Sequence, residues 1–317
     1  MKYTVVTYLA GIPTKNKNPE KPLILKHFAD GVRKVGDVVV EHDKLSYIPS
    51  DIGVLQGWTH EDGKQAPHLI LRKNVIDGQR HSKKRVITAD SNLFLYKNKN
   101  NPHHYLRYSY DGIFPNTGNY CDKIVDPARW QKISKTIGIE LKTMRNTGNH
   151  ILLCLQRNGG WSMKGFDVQD WALTTVEKLR MKTDRPIIIR SHPGDAKAQI
   201  YLDPKNPQYK LKHLKNIIIS NDGREFLEDL KNAWAVVVHN SSPAVASAIE
   251  GYPIFLTDPV HSQAAEVANL NLNDIENPNL NYDRQHWIER LSMFHWNFEE
   301  LANGSAWSHM RQWARLQ

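Results

Sequence analysis

The chain has 317 residues, 40% hydrophobic and 24% charged, with 18 Gly and 16 Pro spread along it. At roughly 150 residues per domain, this excludes a single small module, a disordered chain and a fibre. Cys121 and Cys154 are the only cysteines, and neither lies in a Cys-x-x-Cys pair. A disulfide framework and a structural zinc cluster are therefore not expected, and a reducing compartment is. No window approaches the ~20 apolar residues of a membrane span, and the amino terminus lacks a small-residue cleavage site, so the chain reads as soluble and cytoplasmic. The net charge is +9, and residues 1–148 carry 24 of the 42 Lys and Arg but only 14 of the 33 Asp and Glu. A one-sided field of this kind draws polyanions and neutralises phosphates on contact, although a solvated basic surface has the same composition.

Residues 3–9 form an apolar, β-branched run and predict a strand, followed by a loop with Gly11, Pro13, Pro19 and Pro22. Leu23, Ile24, Phe28 and Val32 recur at helical spacing up to Gly36, and DVVVEH (37–42) is again a strand. This is a β–loop–α–β unit. Short apolar runs follow at 52–55, 68–71, 85–88, 93–96 and 105–110. The cation-dense segment 72–85, RKNVIDGQRHSKKR, lies between two of them and predicts an exposed loop or hairpin.

The second half alternates more cleanly. Strands are expected at 150–155, 186–190, 216–220, 235–239 and 253–257, and helices at 168–181, 224–233 and 242–250. A Gly-bearing loop spans 156–166. Such alternation predicts a parallel sheet with helices on both faces. The fold class is therefore α/β, with two Rossmann-like doubly wound domains facing a cleft. The expected domains are 1–148, with a boundary in TMRNTGN (143–149), then 149–280. Residues 281–317, rich in Trp and Leu, are expected to pack back toward the first domain.

Ligands of open parallel α/β sheets collect at the carboxyl ends of the strands. Four such places stand out. QRNGGWS brings Gln156, Arg157, Gly159, Gly160 and Ser162; paired glycines admit backbone N–H groups to a phosphate, and an ordinary βα turn carries the same residues. RSHPGD places Arg190 and His192 where both can donate to phosphate oxygens, with Pro193 fixing the turn. HNSSPAVASAIEG (239–251) supplies Asn240 and Ser241, Ser242 as an expected N-cap, Pro243 at the first helical position and Gly251 past the end. Its first turn suits an anion, although serines cap many helices. Asp258, in TDPVHSQ, lies at the same edge.

The order of strand, Arg-x-His-Pro, strand, Ser-Ser opening a helix and Gly-x-Pro resembles the carboxy-terminal donor domain of GT-B glycosyltransferases. It is most similar to the capsule-polysaccharide, Kdo-transferase and sialyltransferase type, over roughly residues 150–280. The resemblance implies a nucleotide-sugar co-substrate, a UDP- or CMP-sugar, held by Gln156, Arg157, Ser162, Arg190, His192, Asn240, Ser241, Ser242 and Asp258. One departure stands out. The glutamate that clasps the ribose in many such enzymes is replaced here by Ala246, and Glu250 is expected to face solvent.

Glycosyl transfer requires the leaving phosphate to be stabilised, the role given to Arg190, His192 and the Ser241/Ser242 helix end, and, for inversion, a general base. Asp111, before Gly112, is the preferred base, with Asp90 and Asp51 in reserve; a turn-shaping Asp111 is the plain alternative. No Asp-x-Asp occurs, so no metal and no further cofactor is invoked. The acceptor is expected on the basic half. Arg72, Lys73, Arg80, Lys83, Lys84, Arg85 and Arg107, with Lys97 and Lys99 further on, can follow a polyanion, and Trp58 and Tyr108 can stack on a base or sugar. The leading reading is a sugar transferase acting on a hydroxymethylated base in DNA, as phage DNA glycosyltransferases do, in the host cytoplasm. The alternatives are a capsule or lipopolysaccharide glycosyltransferase acting on an anionic glycan, and a non-catalytic nucleic-acid-binding protein of the same fold.

Overall fold

The computed structural model describes residues 2–12, 20–59, 66–94, 96–97, 101–221 and 223–315. Its strands are β1 Thr4–Tyr8, β2 Val38–His42, β3 Ile52–Gln56, β4 Arg85–Asp90, β5 Leu106–Tyr110, β6 His150–Cys154, β7 Ile187–Arg190, β8 Ile217–Ile219, β9 Ala233–Val238, β10 Ile254–Leu256 and β11 His295–Trp296. The helices are α1 Glu20–Val35, α2 Pro67–His81, α3 Pro127–Ile137, α4 Val168–Arg180, α5 Ala198–Tyr201, α6 Phe226–Leu230, α7 Pro243–Ile249, α8 Arg284–Ser292, α9 Phe298–Ala302 and α10 Ser305–Arg311. The chain divides into two compact units, Met1–Gly138 with Ile288–Gln317, and Ile139–Trp287. The first break precedes the expected 143–149 segment, and the second falls within α8. Most of the proline-rich loop expected after β1, and Lys99, lie outside the described residues.

The first unit has the sheet order β2-β1-β3-β4-β5-β11. Its four leading strands are parallel, whereas β5 runs antiparallel to β4 and β11 antiparallel to β5. The helix α1 lays Ile24, Leu25, Phe28 and Val32 against Val5, Val54 and Ile87 on one face. Leu71, Val75 and Ile76 of α2 cover Val6, Leu55 and Val86 on the other.

This corrects the expected strand at 68–71 and the loop at 72–85. Leu69, Arg72, Val75, Ile76 and Gln79 recur at three- and four-residue spacing on the buried face, and the cations Lys73 and Arg80 occupy the outer one. The density of charge concealed a helical period. Gln79 then anchors the entry into β4, because its Oε1 accepts from the Tyr47 hydroxyl (2.9 Å) and its Nε2 donates to the Arg85 carbonyl (2.9 Å) at the first residue of that strand.

Residues 288–315 belong to this unit. Asp37, after α1, accepts from Trp307 Nε1 (2.8 Å) and Arg311 Nε (2.6 Å) in α10. Burial opposes ionisation of Asp37, but Arg311, the Tyr3 amide and Trp307 outweigh it and hold its carboxyl below the usual range. The backbones of α1 and α9 approach so closely that a Cβ on Gly31 would stand 2.0 Å from the Leu301 carbonyl oxygen.

The second unit is a five-stranded, all-parallel sheet of order β10-β9-β6-β7-β8. Numbered from its own first strand, this is the doubly wound order 3-2-1-4-5 read from the β8 edge with β6 innermost, and its winding reverses between β6 and β9. Short β-branched runs such as Ile187–Ile189 and Val236–Val238 suit strands buried on both faces. The helix α4 begins where Asp167 accepts from the Gln169 and Asp170 amides and packs Val168, Ala172, Val176 and Leu179 on the sheet.

Gly31→Ala should destabilise the first unit by roughly 2–3 kcal/mol, because the added methyl meets backbone rather than a side chain that can turn away. The exposed control Lys26→Ala should stay within about 0.5 kcal/mol. Urea denaturation of the two variants checks this; equal midpoints would show that α9 is not docked on α1 in solution.

Candidate functional site

At the point where the second sheet reverses, the loops after β6 and β9 are joined by side chains. Buried Gln156 donates from Nε2 to Asn240 Oδ1 at 2.6 Å and accepts from the Ser162 hydroxyl at 2.9 Å. Asn240 donates in turn to the Ser162 carbonyl (3.2 Å) and to Asp258 (2.8 Å), and His261 Nδ1 lies 2.8 Å from both Asp258 oxygens. Gln156, Ser162, Asn240 and Asp258 thus form one oriented chain at the carboxyl edge. Beside it, Ser241 Oγ is buried and meets no hydrogen-bond partner among the described residues. An unpaired buried hydroxyl forfeits about 1–3 kcal/mol, which a ligand oxygen or N–H would return.

Four residues of this wall, Trp171, Thr257, His239 and His261, were missed in the sequence. Trp171 Nε1 donates to Thr257 Oγ1 (2.8 Å), which leaves the Thr257 hydroxyl proton for His239 Nδ1 (2.8 Å). Burial lowers the pKa of His239 despite Asp258 nearby, so the ring is neutral and carries its proton on Nε2, 3.7 Å from Asp258. The signals were present: His239 adjoins Asn240, and His261 stands three residues beyond Asp258. Burial also opposes ionisation of Asp258, but hydrogen bonds from His261 and Asn240 outweigh it and lower its pKa.

The loops after β6 and β7 are tied as well. Asp195 accepts from the Asn158 amide (3.0 Å) and the Tyr201 hydroxyl (2.7 Å). The Gly194 amide donates to His192 Nδ1 (2.9 Å), so the ring proton sits on Nε2. Burial, followed by the nearby Arg157 charge, lowers the His192 pKa and keeps the ring neutral at pH 7. Arg157 is exposed beside it. An open cavity of about 400 Å³ lies at the ends of β7 and β8, lined among others by Ser191, Ser220 and Asn221.

Three expectations are corrected here. Arg190 donates to fully buried Asp229 at 2.6 Å, which also accepts from the Ser220 hydroxyl (2.6 Å), so its guanidinium braces the sheet instead of standing with His192. Ser242 occupies the position before α7 but has helical torsions (φ −58°, ψ −24°), is exposed and makes no capping hydrogen bond. Glu250 is buried in an ion pair with Lys142, not solvent-facing, because the strand-free segment before β6 brings Lys142 to the end of α7.

In the first unit, winding reverses between β1 and β3, and Arg72 sits at that point. Its side chain is 7% exposed, with Nε donating to the Gly11 carbonyl (3.0 Å) and Nη1 to that of Trp58 (3.2 Å). Gly57, at φ +78°, makes room for it, since a Cβ there would stand 2.9 Å from Nη1. Burial pulls the Arg72 pKa down to about 10 in spite of Asp90. Asp90 ends β4 at this edge and is ion-paired with Arg107.

Asp111 is elsewhere. Because β5 is antiparallel, its end lies at the amino end of β4, where Asp111 is bonded to Arg85 and accepts from the Val86 amide at 2.9 Å. That position, at the edge opposite the one where ligands of such sheets collect, does not suit the expected base. Asp51 likewise lies at the amino end, ion-paired with Lys84 at 2.7 Å. Tyr108 is a core residue stacked on Phe28, and Lys73 is paired with Asp77 on the outer face of α2. Lys97 donates to the Gly138 carbonyl. By contrast Trp58, Arg80, Lys83, Lys84, Arg85 and Asp111 surround one groove of about 450 Å³.

Two α/β units, one an all-parallel doubly wound sheet and the other led by parallel strands in the order 2-1-3-4, make up the two-Rossmann GT-B class of fold. The chain is similar to two solved structures of Thermosulfurimonas dismutans KpsC. For the beta Kdo 2,7 transferase the identity is 13% and the TM-score 0.53, covering 95% of this chain and 98% of that one. For the beta Kdo 2,4 transferase the identity is 9% and the TM-score 0.55, covering 94% and 98%. No protein-family model matches the sequence, and no curated protein does. Among the described residues no helix is long and apolar enough to cross a membrane.

The Asp258 pKa is lowered in the folded state, so its ionised form adds stability that is present above the unfolded value near 3.9 and lost as pH falls toward the folded one. Asp258→Asn should therefore cost roughly 1–3 kcal/mol at pH 7 and progressively less below about pH 4. Denaturation curves across pH 3–7 check it; a cost independent of pH would mean that charge at Asp258 is immaterial.

Proposed function

We propose that the protein is a glycosyltransferase that binds a nucleotide sugar, of the UDP- or CMP-linked kind, at the carboxyl edge of its second unit. In this reading the sugar passes to a hydroxyl of a capsule- or lipopolysaccharide-type anionic glycan. The observation that carries the reading is the Gln156–Asn240–Asp258 chain with the unpartnered Ser241 hydroxyl at the reversal of a doubly wound parallel sheet. It supplies a wall of amide, hydroxyl and carboxylate groups for a ribose or sugar, with Ser241 Oγ behind it lacking a partner among the described residues. His192 Nε2–H and Arg157 supply neutral and charged donors for the diphosphate or monophosphate. The likeness of fold to two Kdo transferases supports the class of reaction.

For an inverting transfer, Asp90 takes the place first given to Asp111, since it ends a parallel strand at the carboxyl edge of the first unit. The glycan acceptor is preferred to DNA because much of the expected DNA surface is committed elsewhere. Arg72 and Arg107 are turned inward, Tyr108 is core and Lys73 is neutralised by Asp77.

A panel of UDP- and CMP-sugars tests this by thermal shift and by release of free nucleotide. The matching donor, present at about 100 times its Kd, should stabilise the protein by about 2.7 kcal/mol. Gln156→Ala should weaken that donor by about tenfold or more, equivalent to ~1.4 kcal/mol. Stabilisation by none of the donors would overturn the proposal, and transfer to hydroxymethylated DNA but not to acidic glycans would replace its acceptor.

A further inference from the structure

The groove on the first unit has a composition and a course that the donor site does not account for. It is bounded by Ile76 and Arg80 of α2, by Val86 on the face of β4, and by Lys83, Lys84 and Arg85 ahead of it. Trp58 lines it too, and Trp58 follows β3 at the carboxyl edge, where its own carbonyl is held by Arg72. Lys83, Lys84 and Asp111 lie at the amino end of β4. The groove therefore runs beside β4 from the edge where ligands of such sheets collect toward the opposite edge. At about 450 Å³ it has the capacity of an ordinary ligand site.

Its charge is strongly one-sided. Lys84 is paired with Asp51 and Arg85 with Asp111, but Arg80 and Lys83 have no carboxylate partner among the described residues. The cations do not stand there by accident of a loose loop. Gln79 pins the Arg85 carbonyl, the Lys84 amide donates to the Gln79 carbonyl (2.7 Å), and Arg85 lies 4.6 Å over the Tyr110 ring. Lys83 itself is held at φ +54°, a left-handed conformation that glycine adopts more cheaply, and it lines the groove.

We propose that this groove is an acceptor subsite remote from the reacting hydroxyl, in which Trp58 stacks on one sugar of an acidic oligosaccharide and Arg80 and Lys83 take the carboxylates of preceding residues. The role as acceptor rests on the glycosyltransferase reading; binding of the acidic chain does not. An indole at the reacting end and cations at the far end fit a chain that enters lengthwise. A concave slot of about 450 Å³ favours a glycan strand over duplex DNA, whose major groove is entered by a protruding helix or β-ribbon. The consequence is length dependence: a longer acidic acceptor binds more tightly than a short one because it reaches more cations.

Fluorescently labelled oligogalacturonates of one to eight residues, titrated without donor, test this, with malto-oligosaccharides as neutral counterparts and dT8 as a nucleic-acid probe. Affinity should rise with oligogalacturonate length to a plateau, and Arg80→Glu/Lys83→Glu, both at exposed positions, should lower the affinity of the longest by about tenfold or more while leaving the monomer unchanged. Trp58→Ala should weaken every length alike. Donor-induced thermal stabilisation should be the same in the wild type and the double variant. Binding without length dependence, equal binding of the neutral chains, or an unchanged affinity in the double variant would overturn the proposal, and tighter binding of dT8 would assign the groove to single-stranded nucleic acid instead. If the oligogalacturonates behave as expected but no nucleotide sugar binds, the subsite stands and the transferase reading falls.

Discussion

The hydrogen bond from Gln156 to Asn240 joins the loops that leave β6 and β9, the two strands at which the winding of the second sheet reverses. A parallel sheet delivers every strand end to one edge, but it leaves the loops there without sheet partners for their own polar groups. The amide pair closes that gap. Gln156 and Asn240 are both buried, and each uses both its donor and its acceptor ends, so neither loop can move without stranding an amide away from water. Asp258 and His261 extend the same constraint to the loop after β10. The result is a surface whose polar groups are fixed by one another, with the Ser241 hydroxyl left without a partner among the described residues.

In the first unit the comparable constraint is a charge. Arg72 holds the Gly11 and Trp58 carbonyls, and so the loops after β1 and β3, with one guanidinium. Burying that cation costs several kcal/mol by the usual solvation argument, offset in part by its two carbonyl bonds and by Asp90 in the neighbourhood. Asp90 cannot neutralise it fully, because the carboxylate is engaged by Arg107. Among these three residues, Arg72 is therefore left with its charge unneutralised at the carboxyl edge of the first unit. The second unit's edge differs, with Asp258 ionised between two histidines that are neutral or hydrogen-bonded to it.

How much of this was legible in the sequence depends on the range of the signals. The alternating second half could be read almost element by element, because short β-branched runs separated by capped amphipathic segments encode a parallel sheet locally. The site residues at strand ends came with that reading, and Gln156, Ser162, Asn240 and Asp258 do meet. What failed was long-range. Whether a strand runs parallel or antiparallel is decided by its partner, so nothing near Asp111 could show that β5 returns it to the amino edge. Arg190 looked like a ligand because Asp229, thirty-nine residues on, supplies its partner through tertiary folding. In α2 the period was present, but Arg72 and Gln79 hold positions that an apolar count leaves blank.

The buried and exposed cations of the first half therefore divide into two kinds with different energetics. Arg72 and Arg107 are desolvated and held by internal partners, two carbonyls for Arg72 and Asp90 for Arg107, so a diffusing polyanion gains little from them and their loss would be felt as misfolding. Arg80 and Lys83 are solvated, carry their charge without a carboxylate partner among the described residues, and lose little on meeting one, which is the condition under which a cation contributes to binding rather than to folding. Residues that sequence composition presents as one basic cluster thus divide by solvation, and within α2 the division is set by the helix turning Arg72 toward the sheet and Arg80 away from it.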